Sequence, residues 1–435
     1  MSYRSWGGYP YGRQQGICLA SRDSDWPQSG QTLLPYGLGR SYGDSCQNVA
    51  GQVLSSRQLR HFIAFDADSG RLDCEAGVTL ADIIRVCLPQ GWFLPVTPGT
   101  KHVTVGGAIA NDVHGKNHHV AGSFSHHLYG FELLRSDGSR LFCSDSENRE
   151  WYQATVGGLG LTGFITRASL QLRRVDSSMI DCESIRYQHL GEFFSLSAES
   201  ADSHEYTVAW IDCLAGGSRL GRGHFIRGNH AAAGSLALAD EQHKLSIPFT
   251  PPLSLVNRLT LKPFNTLYYH RQRQQRVQDQ RHYDPFFYPL DGILNWNRIY
   301  GSRGFVQYQC LIPLANAQAG IRDMLHCISK AGLGSFLVVL KMMGDLPSKG
   351  VLSFAGEGAT LAMDFPMQGQ KTLDFLLRLD DIVRAAGGRL YPAKDARMPA
   401  AMFQAGYPQW HKLEAMRDPA INSGFWQRVT GKNGE

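Results

Sequence analysis

Three glycine-rich stretches, far apart in the chain, constrain this sequence more than any other feature. The first is Pro35-Tyr36-Gly37-Leu38-Gly39-Arg40-Ser41-Tyr42-Gly43-Asp44, followed by Ser45. It follows a short apolar run, so it starts at the end of an expected strand. Closely spaced glycines let successive backbone N–H groups point into one concavity, which suits a pyrophosphate. No periodic helix and no acidic residue at the expected distance follow, so it is not a dinucleotide fingerprint of the doubly wound type. Alone, it is equally a plain turn. The second stretch is Pro98-Gly99-Thr100, then Val103-Thr104-Val105-Gly106-Gly107-Ala108-Ile109-Ala110-Asn111-Asp112-Val113-His114-Gly115-Lys116-Asn117-His118-His119. Its small residues can lie close against a planar or phosphate-bearing ligand. The third runs from Thr155 to Gly163 (TVGGLGLTG). Turns alone do not explain three such cradles. Together they point to one long ligand with a diphosphate, lying extended across a domain.

The 435 residues suggest two or three domains. With 43% hydrophobic and 19% charged residues, the composition is that of a soluble globular protein and excludes disorder, collagen and coiled coil. From Gln31 to Arg173 short strand-like runs are broken by turns. The segment from Ala81 has apolar residues at helical spacing and stops at Gly91. From Val175 onward strands alternate with long helices. The expected fold is α+β with two domains, one from 1–175 plus 376–435 and the other from 176–375. The latter is expected to be an antiparallel sheet covered by helices. Segment 245–283 joins a Pro-rich apolar stretch to a basic, Gln-rich one. It reads as a long surface loop with one polar helix, or as a mobile or membrane-facing lid.

The formal charge of +5 is mild and forms no basic domain, so no nucleic-acid partner is expected. Nine scattered cysteines without a CxxC pair argue against a disulfide framework and against structural zinc. A reducing, cytoplasmic location is the simple reading. The opening MSYRSWGGYP lacks a charged-then-apolar leader, and no run is long and apolar enough to span a membrane. His114, His118 and His119 invite a metal reading. They lack a companion carboxylate or cysteine pattern, so no metal is expected.

The order GLGRSYGD, then PGT with VTVGGAIANDVHGKNHH, then ATVGGLGLTG resembles the FAD domain of vanillyl-alcohol-oxidase-type flavoproteins. Further stretches, among them FVQYQ (305–309), Asp364-Phe365-Pro366 and GGRLYPAKD (387–395), extend the likeness from Trp6 to Pro419. They resemble the family of decaprenylphosphoryl-β-D-ribose 2′-oxidases. The resemblance implies FAD contacts at Pro35 through Ser45, Gly99, Thr104 to Gly107, Asn111 to His114, Ile165 and Tyr391. It also implies a substrate side lined by Tyr42, His114, Gln307, Gln309, Lys341, Tyr391 and Lys394. Many relatives in the superfamily tether FAD through a His where Arg40 stands here, so noncovalent FAD is expected. Mycobacterial members carry Asn and Cys where Thr360 and Ala362 stand, and a Ser where Val208 stands.

Oxidising an alcohol requires hydride departure and loss of the hydroxyl proton. Within this resemblance Lys394, Tyr391 and His114 are the candidate catalytic groups. A lysine in a dry site can act as a base or hold an anion. Lys341 follows an apolar strand, where it serves a substrate phosphate or the flavin pyrimidine edge, or simply reaches solvent. Gln307 and Gln309 share one strand face, able to read ring hydroxyls or to face solvent. The implied activity is FAD-dependent oxidation of the 2′-hydroxyl of a polyprenyl-phosphate ribose, the first half of an epimerisation to the arabinose lipid. A separate NAD(P)H-dependent reductase would complete it, and peripheral membrane contact would suit the lipid. An oxidase of soluble alditols or aldonolactones is the nearer alternative. A flavin-binding scaffold without turnover is the more distant one.

Overall fold

The computed structural model describes residues 3–240 and 245–431. The extreme ends of the proposed FAD unit, 1–2 and 432–435, lie outside the described residues. Of the five sheets among the described residues, two of them two-stranded, the three larger ones organise the chain. Strands Gln15–Cys18, Gln52–Ser55 and Leu33–Tyr36 form a small parallel sheet. A five-stranded antiparallel sheet joins the hairpin Phe62–Asp66 and Arg71–Glu75 to Phe164–Gln171, Leu128–Leu134 and Arg140–Cys143.

The third sheet has eight antiparallel strands. Their order across the sheet is Arg276–His282, Met179–Tyr187, Gly223–His230, Tyr206–Ile211, Val338–Met343, Gly358–Pro366, Phe305–Pro313 and Arg389–Leu390. Helices Leu314–Ala331, Gln370–Ala385 and Leu190–Ser200 cover one face through residues such as Ile321, Met324, Phe375, Leu379 and Phe193, all essentially inaccessible to solvent. Burying each such side chain contributes roughly 1.5–3 kcal/mol. The other face packs against Phe286 and Phe287 around Ile180, Cys182 and Tyr206, and its remainder is left for the site. Position 376 falls inside helix Gln370–Ala385, and Arg389–Leu390 pairs with Phe305–Pro313. The large sheet is therefore completed from both sides of that point.

Segment 245–283 follows its sequence signal in part. Residues 247–257, with Pro248, Pro251 and Pro252, run as a surface loop, and the one helix follows directly as Arg258–His270. Asn257 caps it, accepting from the N–H groups of Leu259 and Thr260. The Gln-rich basic part forms strand Arg276–His282 at the edge of the large sheet. Alternation of charged and amide side chains suits a solvent-facing edge better than a helix, because it discourages pairing with other chains.

Candidate active site

The three glycine cradles converge. A Cβ at Gly37 would lie 2.4 Å from Thr104 Oγ1, and one at Gly160 would lie 3.3 Å from Pro35 Cβ. Leu159 N–H donates to the Ala110 carbonyl at 2.8 Å, and Gly157 N–H to that of Ile109 at 3.0 Å. Helix Val105–Ala110 is held at this junction by Thr104, whose hydroxyl accepts from Gly107 N–H at 3.1 Å. Together the cradles form one wall of a cavity of about 520 Å3, within the usual range of roughly 300–1,000 Å3 for cofactor and ligand sites.

The free face of the large sheet forms the opposite wall. Gln307 and Gln309 come from Phe305–Pro313, Val339 and Lys341 from Val338–Met343, Thr360 and Ala362 from Gly358–Pro366, and Val208 from Tyr206–Ile211. The register sets Gln309 opposite Ala362, Gln307 opposite Asp364 and Lys341 opposite Thr360. Side chains two apart on a strand share a face, so the amides and the lysine meet at one surface. The turn after Arg389–Leu390 adds Tyr391 and Lys394; its register is fixed by Tyr391 N–H donating to the Gln309 carbonyl at 2.9 Å.

Most of the expected residues line this cavity: Pro35 through Tyr42, Ser45, Gly99, Thr104, Gly106, Gly107, Asn111, Val113, His114 and Ile165, with the substrate-side set complete. Four do not line it. Gly43 packs so tightly that a Cβ would lie 1.9 Å from the Asp395 carbonyl oxygen. Asp44 turns away to pair with Arg428 at 2.7 Å. Val105 is fully buried in the core. Asp112 is a buried structural acceptor for Ser123 and Ser353 hydroxyls at 2.9 and 2.5 Å. These four support the wall from behind.

The cradle fits a diphosphate-bearing cofactor. The backbone N–H groups of Gly37 to Ser41 find no acceptor among the described residues. Gly39 has φ +64°, and its Cβ would lie 2.0 Å from the Tyr36 hydroxyl, so only glycine fits there. Gly99 lines the cavity, and a Cβ there would meet nothing within 4 Å. Ser45 Oγ and His114 Nδ1 are buried polar atoms without a partner, both on cavity-lining residues; such atoms are costly unless a ligand meets them. Arg40 lies over the Trp6 ring at 4.5 Å and donates to the Leu38 carbonyl at 3.0 Å. No group of three metal-ligating side chains occurs among the described residues. The three histidines go to separate partners: His114 to Gln309, His118 Nδ1 to Gly344 N–H, and His119 Nε2 to the His204 carbonyl.

The electrostatics are dominated by three half-buried lysines that line the cavity. Burial lowers Lys394 to about 8; nearby Asp364 opposes the shift. Lys341 falls to about 7 through burial and the repulsion of Lys116 and Lys394, and Lys116 falls to about 8 through burial. Lys341 donates to the Gly115 carbonyl at 2.8 Å, and Lys394 sits over the Tyr42 ring at 4.1 Å. His114 is pushed well below its usual range by burial and by Lys341. Gln309 Nε2 lies 3.2 Å from His114 Nε2 and also donates to Thr360 Oγ1. An amide nitrogen only donates, so His114 Nε2 accepts and the neutral ring carries its proton on Nδ1. The Tyr391 hydroxyl donates to the Asn111 carbonyl at 2.9 Å, and its ring stacks on Phe354. This bond ties Tyr391, on the cavity wall, to the loop that carries His114.

Two site residues were within the sequence motifs but carried no role there. Asp364 is buried, accepts from Gln307 Nε2 at 2.7 Å and from the Tyr300 hydroxyl at 3.2 Å, and is raised to about 6 by burial. Its register against Gln307 is a long-range fact that alternation within one strand does not reveal. Lys116 sits in VHGKNHH, its ammonium donating to the Phe287 carbonyl at 3.2 Å. The only local signal was the absence of an acidic neighbour.

Comparison with known proteins fits this geometry. Residues 25–144 match the model of an FAD binding domain. Over 405 residues the chain is 35% identical to the decaprenylphosphoryl-β-D-ribose oxidase of Mycolicibacterium smegmatis, covering 90% of this chain and 87% of that one. The chain belongs to this oxidase family. It is also 33% identical over 361 residues to an uncharacterised protein from the mprA 5′ region of Streptomyces coelicolor, covering 79% of this chain and 96% of that one. A shorter match, 33% over 114 residues, joins 26% of this chain to 22% of human Delta(24)-sterol reductase. As a family member the chain is an FAD-dependent oxidoreductase with a two-domain α+β fold. The convergence of all three cradles on one cavity is the structural counterpart of that membership.

Proposed function

We propose that the chain oxidises the 2′-hydroxyl of a polyprenyl-phosphate ribose to the 2′-keto sugar. The observation that carries this reading is the juxtaposition, across one cavity, of the glycine cradles with Gln307, Gln309, Lys341 and Lys394 on the sheet side. In this reading residues 1–175 with 376–435 form the cofactor unit and 176–375 the substrate unit, with Lys394 of the former reaching the substrate. The N–H groups of Gly37 to Ser41 and the Ser45 hydroxyl hold the diphosphate, while Asn111, Val113 and Ile165 flank the rest of the cofactor. FAD, when bound, supplies the two-electron acceptor for the hydride. With Arg40 in place of a tethering His, the cofactor is held noncovalently, so acid precipitation is expected to release all flavin into the supernatant.

Lys394 takes the proton from the sugar hydroxyl. Its lowered pKa gives a useful fraction of free amine near neutrality. Lys341 stays cationic when an anion approaches and holds the phosphate. Gln307 reads a ring hydroxyl, its Nε2 steadied by Asp364. Neutral His114 offers Nδ1–H as a donor. Apolar Leu290, Ile293, Leu294 and Trp296 along the same cavity suit the first isoprene units. The keto product needs a hydride donor for the return half of the epimerisation, and a separate NAD(P)H-dependent reductase is the proposed partner. Substrate deuterated at C2′ should reduce the flavin several-fold more slowly than unlabelled substrate, whereas C3′ label should have no effect. An isotope effect at C3′ instead would reassign the oxidised carbon.

A further inference from the structure

Helix Arg258–His270 and the loop before it carry an apolar surface that the fold leaves uncovered. The inner face of the helix is fixed: Leu261, Asn265 and Tyr269 are buried, Asn265 Nδ2 donates to Asp212 at 3.2 Å, and the Tyr269 hydroxyl donates to the Tyr187 carbonyl at 3.2 Å. Positions 259, 263 and 267 point the opposite way, where a soluble helix normally places polar groups. Here they are Leu, Pro and Leu. Leu259 is 87% exposed and Leu267 72%. The preceding loop adds Leu245, Phe249, Leu253 and Leu255, exposed by 73, 68, 78 and 53%.

The loop is pinned as well. Arg298 Nη1 donates to the Ile247 and Pro248 carbonyls, both at 2.9 Å, and Leu255 N–H donates to the Ile299 carbonyl at 2.8 Å. Leu245–Ser246 pairs in parallel with Ile293–Leu294, and both of those partners line the cavity. The start of the uncovered segment thus adjoins the cavity wall.

Its charge selects the occupant. From Leu245 to Gln278 the chain carries Arg258, Lys262, Arg271, Arg273 and Arg276 and not one Asp or Glu. Exposed leucines and a phenylalanine in a segment whose own charges are all cationic are complementary to an anionic lipid surface. No described helix is long and apolar enough to cross a membrane, so contact would be peripheral. We propose that residues 245–273 form a docking surface for an anionic bilayer, which sets the apolar end of the cavity against the membrane. The idea that the prenyl chain enters there rests on the proposed function; the docking itself does not.

The test is co-sedimentation of the flavin-loaded full chain with vesicles of pure phosphatidylcholine and of phosphatidylglycerol-rich composition. The wild type is expected to bind the anionic vesicles, and the triple variant Leu253→Glu, Leu259→Glu, Leu267→Glu to lose at least about tenfold in partition. Lys262→Glu should weaken binding to the anionic vesicles alone. Flavin absorbance and an unchanged Tm would show that these exposed substitutions leave the fold intact. Equal binding by the triple variant, or a wild type that ignores both vesicles, would overturn the proposal; the second result would assign the surface to a protein partner. The readout involves no turnover. Docking that survives while no lipid sugar reduces the flavin would defeat the proposed reaction and leave the surface standing.

Discussion

At the scale of single residues the account rests on a few buried charges. Lys394→Ala should slow flavin reduction by about 10²-fold or more while flavin content stays at the wild-type level. Stopped-flow reduction and the absorbance ratio of the purified variant measure the two effects. For the wild type, the free amine of Lys394 forms as pH rises through about 8. The reduction rate should climb through that pH and then level, and the variant should lack the climb. Asp364 makes a separate prediction. Burial raises its pKa to about 6, so the folded state holds a proton that the unfolded chain has already released. The stability linked to that proton is complete below the ordinary carboxylate range and is lost as pH rises to about 6, amounting to about 3 kcal/mol. The Tm of Asp364→Asn should therefore gain on the wild type between pH 4 and 6; a pH-independent difference would contradict the assignment.

At the scale of elements, the cofactor wall depends on close approach of backbone. Gly37→Ala would place a methyl 2.4 Å from Thr104 Oγ1 and force the first and second cradles apart. The variant should purify folded but with flavin content reduced at least tenfold, a loss of about 1.4 kcal/mol or more in binding, readable from its absorbance ratio. Much of this wall was legible in the chain, because glycine spacing is a local signal with a steric cause. Strands Tyr206–Ile211, Phe305–Pro313, Val338–Met343 and Gly358–Pro366 and helices Leu314–Ala331 and Gln370–Ala385 were legible for a similar reason, since apolar periodicity records which face is buried. Segment 245–283 was legible in part: its Pro-rich start is a loop, but the helix begins at Arg258, capped by Asn257 and tolerating Pro263, rather than in the Gln-rich run. The Gln-rich run looked helical by composition, but edge pairing with Met179–Tyr187 decided it. Gly43, Asp44, Val105 and Asp112 lie inside the motifs but behind the wall, because a motif records proximity and not which side chains point inward. The pairing of Gln307 with Asp364 depends on register between distant strands, which no single strand specifies.

At the scale of the whole molecule, the cavity lies between the glycine cradles and the free face of the large sheet, so cofactor binding should tie them together. Added FAD should raise the Tm of the flavin-stripped protein, reaching about 2.7 kcal/mol of stabilisation at a hundredfold excess over Kd. A Tm that ignores FAD would mean that the cavity is not the cofactor site. The assembled molecule places the glycine cradles, three lysines and two amides around one cavity, with an apolar, cationic surface beside it. The most direct test is an anaerobic titration of the purified flavoprotein with a polyprenyl-phosphate ribose, followed at the flavin absorption maximum, with ribitol and an aldonolactone in parallel. The account predicts bleaching by the lipid sugar alone. Bleaching by the free polyol or the lactone, or no bleaching by the lipid sugar, would contradict it.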